Sequence, residues 1–294
     1  MNTQPTPPAP PTPTTPTVLG ATAVGAEPRA RFADLLAAEW IKLWSLRSTP
    51  WAVGLSALIV IAINAAGAYA DYDDWHSYPP PIQNGFVPHW SIRDAFSVGA
   101  ANALMLAAGT IGALTVVSEY GTGQIRTTFA AVPARRSVMA ARMAVVTVVM
   151  LGYGAVVALS SFGVTQAILS GRDIGVPIDH PGVDRVILAS ALLAPVCALV
   201  GMGLGALLRH TATTIATVSS VLLLLPSLAS DREHWGAVLK HALPFGGWDR
   251  LVDLREPDAM VLYPSTVGGA WLVYAIWPLA AVLITMVVVH RRDL

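Results

Sequence analysis

Charge is what this chain has least of. Only 12% of its 294 residues are Asp, Glu, Lys or Arg, against about 25% in ordinary soluble domains. Half the usual supply cannot cover a water-facing surface, so lipid is the solvent that fits. Cysteine is nearly missing too. The single Cys197 excludes an internal disulfide and any cysteine-based metal cluster. Its setting, LLAPVCALVG, is apolar on both sides, which suits a small core residue and not a reactive thiol. The net charge is +0, so nothing points to nucleic acid as a partner. The seven histidines are scattered without an HExxH pattern, which argues against a metal site. The amino terminus lacks the basic-then-apolar order of a secretory signal. Met1 to Thr17 instead holds seven prolines and no Lys or Arg, a composition with too little apolar surface to offset chain entropy.

What the chain does have is apolar length. Hydrophobic residues make up 54% of it, and the mean hydropathy is +0.58. A spanning helix needs about 20 mainly apolar residues to cross roughly 30 Å of hydrocarbon. Six stretches approach or meet this: 51–70, 96–117, 138–169, 186–208, 215–229 and 267–289. The fold class expected is an all-α membrane protein with six transmembrane helices. The fifth stretch is the shortest and ends near Pro226. Pro195 and Pro278 fall inside the fourth and sixth, where each should kink its helix. The first run begins only near Trp51, so it should be a permanent span.

Basic residues orient the spans. With both termini in the cytoplasm, the inner segments hold eleven bases against five acids and the outer segments seven against thirteen. That split suits six spans and a plasma-membrane location. Residues 1–28 form a Pro-rich cytoplasmic tail expected to be disordered, and 29–294 the membrane domain. Before the first span, residues 31–47 form an amphipathic helix. Phe32, Leu36, Trp40, Leu43 and Trp44 share one face, Asp34, Ala38, Lys42 and Ser45 another. Tryptophans beside Lys42 fit a helix lying in the headgroup layer. Between the last two spans, 230–266 includes LPFGGWDRLVDL, too apolar for a solvated linker and expected as a short helix or half-buried hairpin resting on the outer membrane surface.

The segment between spans two and three, SEYGTGQIRTTFAAVPARRSVMAAR, is the most informative. Gly121 and Gly123 let the backbone turn. Thr122 can cap a short helix of two turns, Gln124 to Ala131, which Pro133 ends. Arg135, Arg136 and Arg142 open the third span near anionic headgroups. A lone Glu119 at membrane depth needs a counter-ion, and Arg126 or a base on a partner chain is the expected one.

The run Glu119-Tyr120-x-Thr122-Gly123-x-Ile125-Arg126-x-Thr128-x-Ala130-Ala131-Val132-Pro133-x-Arg135-Arg136 resembles the corresponding loop of ABC-2 type permeases, most closely the actinobacterial branch. The resemblance covers about residues 29–294. It implies a permease subunit of an ATP-driven exporter, whose loop is a coupling helix docked on a separate nucleotide-binding ATPase subunit. ATP and Mg would then bind that partner, with no cofactor on this chain. A second permease copy or a homologous permease would complete the pathway among membrane lipids. The positions implied for coupling are Glu119, Tyr120, Gly121, Thr122, Gly123, Arg126, Pro133, Arg135 and Arg136, with a weaker candidate contact at Arg209-His210-Thr211.

Gly201-Met202-Gly203-Leu204-Gly205 has no preceding strand and no Lys-Ser/Thr, so it is no phosphate cradle. Small residues there allow close helix packing instead. Asn64, Asn102, Thr110 and Gln166 are candidates to line a substrate path, although interhelical hydrogen bonding is the commoner use of such side chains. Two alternatives stay open: a non-transporting scaffold or immunity protein working with an ATPase, and an ATP-independent secondary transporter. The clear span interiors carry no acid or base for ion coupling, which lowers the second. No nucleophile–base pair supports a membrane enzyme.

Overall fold

The computed structural model describes residues 31–45, 47–122, 135–229, 233–255 and 262–291. The expected proline-rich tail (1–28) lies outside the described residues, and so do Gly123, Arg126 and Pro133. Among the described residues the chain is all helical, with no strand. The elements are α1 (Phe32–Ser45), α2 (Ser48–Asp74), α3 (Pro80–Phe86), α4 (His89–Ala95), α5 (Val98–Thr122), α6 (Arg135–Ser170) and α7 (Val183–Leu208). After these come α8 (Thr211–Leu228), α9 (His234–Ala242), α10 (Pro244–Val252) and α11 (Val267–Arg291).

Six helical stretches among the described residues are long and apolar enough to cross a membrane: Ser48–Ser77, His89–Gly121, Arg135–Ser170, Val183–Leu208, Thr211–Leu228 and Val267–Val289. All six expected spans are therefore present, several of them longer than hydropathy alone marks. The stretch between the first two is not a loop. Prolines at 79–81 suit a first helical turn, where a missing N–H costs nothing, and α3 starts there. The fifth crossing is intact through 18 residues. Pro226 cannot donate to the Leu222 carbonyl, and a π-helical turn, Ser220–Leu224, precedes it. Helices α7 and α11 both run on through Pro195 and Pro278.

The bundle is organised around α7, which packs against α5, α6 and α11 and buries most of its length. Small residues make this possible. A Cβ added at Gly201 would collide with the Gly109 carbonyl of α5, and one at Gly112 with the Ala198 carbonyl of α7. On the other sides, Gly154 of α6 lies against the Ala191 carbonyl, and a Cβ at Gly203 would meet Ala281 of α11 at 3.2 Å. Without a hydrophobic drive between helices in lipid, such close contact is what holds them together. The glycine run expected to aid packing serves two of these interfaces.

Helix α1 packs against α6 and α2, and its charged side chains meet the end of α5 and the first turns of α6. The opposite end is closed by α9 and α10. Trp248 of α10 is fully buried, and its indole N–H donates to Ser190 Oγ at 3.2 Å. Arg185 donates to the Leu251 and Asp253 carbonyls at 3.1 and 3.0 Å, and Arg93 pairs with Asp249 at 2.7 Å. The apolar 243–254 stretch is thus wedged against α7 and α11, not laid over a surface, because Trp248 and Leu251 find their cover between those helices.

Candidate functional site

Helix α1 buries one narrow face and leaves both of its tryptophans outside. Leu35, Glu39 and Leu43 are buried, while Phe32, Trp40, Ile41 and Trp44 are exposed. The buried stripe has i, i+4, i+8 spacing, so it is one helical face. Glu39 decides the choice. Its two oxygens accept from Arg142 of α6, Nε at 2.8 Å and Nη2 at 3.1 Å, a two-pronged pair.

Arg142 is buried within the bundle, against α1 and α5. It is 2% exposed and forms the centre of a four-charge network. Its Nη1 meets Glu119 Oε2 at 2.6 Å and also donates to the Thr115 carbonyl at 3.2 Å. Glu119, 3% exposed, meets the Lys42 ammonium as well, and Lys42 lies 3.9 Å from Glu39. Glu119 thus takes counter-ions from α1 and α6. Two acids and two bases cancel, which is the condition for keeping charges out of water. Burial holds the Lys42 amine below its ordinary range. The Arg142 guanidinium adds to the effect, and Glu39 opposes it.

The network borders a half-open cavity of about 510 Å³ lined by α1, α2, α5 and α6. Its apolar wall includes Leu43, Ala52, Ile111, Leu114, Val145 and Val146, and its polar wall Ser45, Ser48, Thr49, Thr115 and Ser118 beside the charges. Lys42 is the most accessible of the four charged groups, its side chain 30% exposed against 10% or less for the others. Cavities of about 300–1,000 Å³ hold drug-sized ligands.

The remaining motif residues sit around the ends of α5 and α6. Tyr120 is half-buried, and the Arg209 guanidinium lies 4.7 Å over its ring. This couples the α7–α8 connection to the end of α5. Gly121 is exposed, and Thr122 is the last residue of α5. Arg135 and Arg136 open α6, the latter exposed. His210 caps α8 by accepting from the Thr213 amide at 3.5 Å.

The path candidates are not brought together. Asn64 donates to Ser161 at 3.1 Å and accepts from Ser97, tying α2 to α6 and α5. Gln166 donates to the Ser91 carbonyl at 2.8 Å and accepts from the Val176 amide at 2.7 Å. Both link separate segments of the bundle by hydrogen bonds. Asn102 and Thr110 are half-buried on α5. Glu39 and Thr115 belong to the site without having been singled out by sequence, which places Lys42 only on the polar face of the 31–47 helix. The Glu39/Lys42 pair at i, i+3 was the available signal. No protein-family model matches this chain, and no curated protein matches it either.

Proposed function

We propose that this chain is the membrane subunit of an ABC-2 type exporter, worked by a separate nucleotide-binding ATPase. The motif from Glu119 to Arg136 carries the assignment. One structural observation supports it: Arg142 and Glu119 join α1 to the two helices that flank residues 123–134. A push on that segment would reach α5, α6 and α1 together, since ion pairs link the three helices. In this proposal both termini and the 123–134 segment face the cytoplasm, and α1 lies at the inner surface of the plasma membrane. Its exposed Phe32, Trp40 and Trp44 then contact the headgroup layer. ATP closes the partner dimer, the 118–142 region shifts, and the crossings rearrange.

The test is purification of tagged full-length chain from its native membranes. A Mg-dependent ATPase should co-elute with it and be lost in Arg126→Glu, while insertion and elution volume stay unchanged. Equal ATPase recovery with Arg126→Glu, or labelling of position 126 from outside intact cells, would overturn the coupling role.

A secondary transporter is the second reading, favoured by the burial of Glu119 and Arg142 within crossing helices. Uptake or efflux in proteoliposomes driven by an ion gradient, with no ATPase present, would select it.

A further inference from the structure

The cavity beside the ion network has a chemistry of its own, and its lining defines what would enter it. The wall is mainly apolar, so the body of a ligand must be apolar to be better off there than in water. The carboxylates of Glu39 and Glu119 line the cavity too, each engaged by Arg142 and nearly buried. Lys42 is paired with Glu119 but is the charged side chain most open to a ligand, and an ammonium has three N–H donors. Ser48 and Thr49, at the start of α2, line the same space, and no side chain caps that start. Helix starts carry partial positive charge and free N–H groups.

A cationic head would be repelled by the most exposed charge, the Lys42 ammonium, and by the positive end of α2, while both acids are nearly buried. An anionic head would be attracted by the ammonium and by that helix end. We infer that this cavity binds an amphiphile with an anionic head and a long apolar tail. The head is held between Lys42 and the first turn of α2, and the tail lies along Leu43, Ala52, Ile111, Leu114 and Val145. That such a molecule is the cargo rests on the exporter reading. Binding alone does not, so it is measured without any ATPase.

The experiment uses the purified full chain in phosphatidylcholine nanodiscs and a diazirine-bearing hexadecanoate, with cross-links mapped by mass spectrometry. Labelling should concentrate on peptides spanning 43–52, 111–118 and 145–146. Hexadecanoate and hexadecyl phosphate should compete, and hexadecyltrimethylammonium should not. Preference for one of the two anions identifies the head as carboxylate or phosphate, and either preference upholds the site. Lys42→Met should weaken labelling about tenfold, the loss expected for one charge-assisted hydrogen bond. Ser48→Glu should weaken it comparably while leaving the fold intact, because an acid in a first helical turn is itself favourable. The inference fails if the trimethylammonium competes as well as the acids. It fails equally if labelling on the exposed α11 residues Leu272, Ile276 and Leu279 matches that at the cavity, or if Ser48→Glu labels like wild type. Failure of ATPase co-elution with labelling intact would discard the exporter and keep the site.

Discussion

Arg142 serves three acceptors on two other helices, so its removal leaves two buried carboxylates to share Lys42. Arg142→Met should lower stability by about 3–5 kcal/mol, the cost of breaking one side of a buried pair. Thermal melting in detergent reads this out. Adding Glu39→Gln to that variant should recover part of the loss, because one of the two carboxylate charges disappears. No recovery would mean that Glu39 reaches solvent once freed. A second residue-scale effect lies at the other end of the bundle. Tyr78 donates to Asp71 Oδ1 at 2.7 Å, and this bond, with burial and nearby acids, pushes the phenol up to about 12. Between pH 10 and 12 the folded protein keeps a proton that the unfolded chain gives up. Stability therefore falls as pH rises through that window. The absorbance difference between wild type and Tyr78→Phe should show the missing phenol titrating near 12, not near 10.

At the scale of elements, helix contacts are set by atoms that are absent. Gly201→Ala places a methyl group into the Gly109 carbonyl, forcing α5 and α7 apart. It should cost about 1–3 kcal/mol, the range for overpacking a well-filled contact. Gly54 on α2 has open space where a Cβ would go. Gly54→Ala should be neutral or stabilising by up to about 1 kcal/mol through helix propensity. Melting both variants beside wild type separates packing from propensity, and equal shifts would refute the close approach. The wedge element makes a similar demand. Trp248 fills buried space between helices, and Trp248→Ala should cost about 3–5 kcal/mol. Ser190→Ala, which removes only the hydroxyl accepting the indole N–H, should cost far less.

For the whole molecule, orientation is the property most open to direct measurement. Cys197 is buried in α7, so wild type should resist a membrane-impermeant maleimide. Asp179→Cys and Arg136→Cys place thiols at exposed positions near opposite ends of the bundle. The first should label in intact cells and the second only after lysis. The reverse pattern would invert the topology and remove the 123–134 segment from any cytoplasmic ATPase. The sequence by itself determined the helical class, the six apolar crossings and the close-packing role of Gly201 to Gly205. Each is a matter of local composition and period, and neighbouring residues along the chain carry it. Only the tertiary structure decided that α1 turns Glu39 inward. It alone also assigned Lys42 and Arg142 to Glu119, and sank Trp248 between α7 and α11. Those outcomes depend on which distant charges and shapes meet across 77 to 103 residues of chain, for Lys42 with Glu119 and Glu39 with Arg142. A buried charge goes where its partner is, and sequence spacing does not record that place.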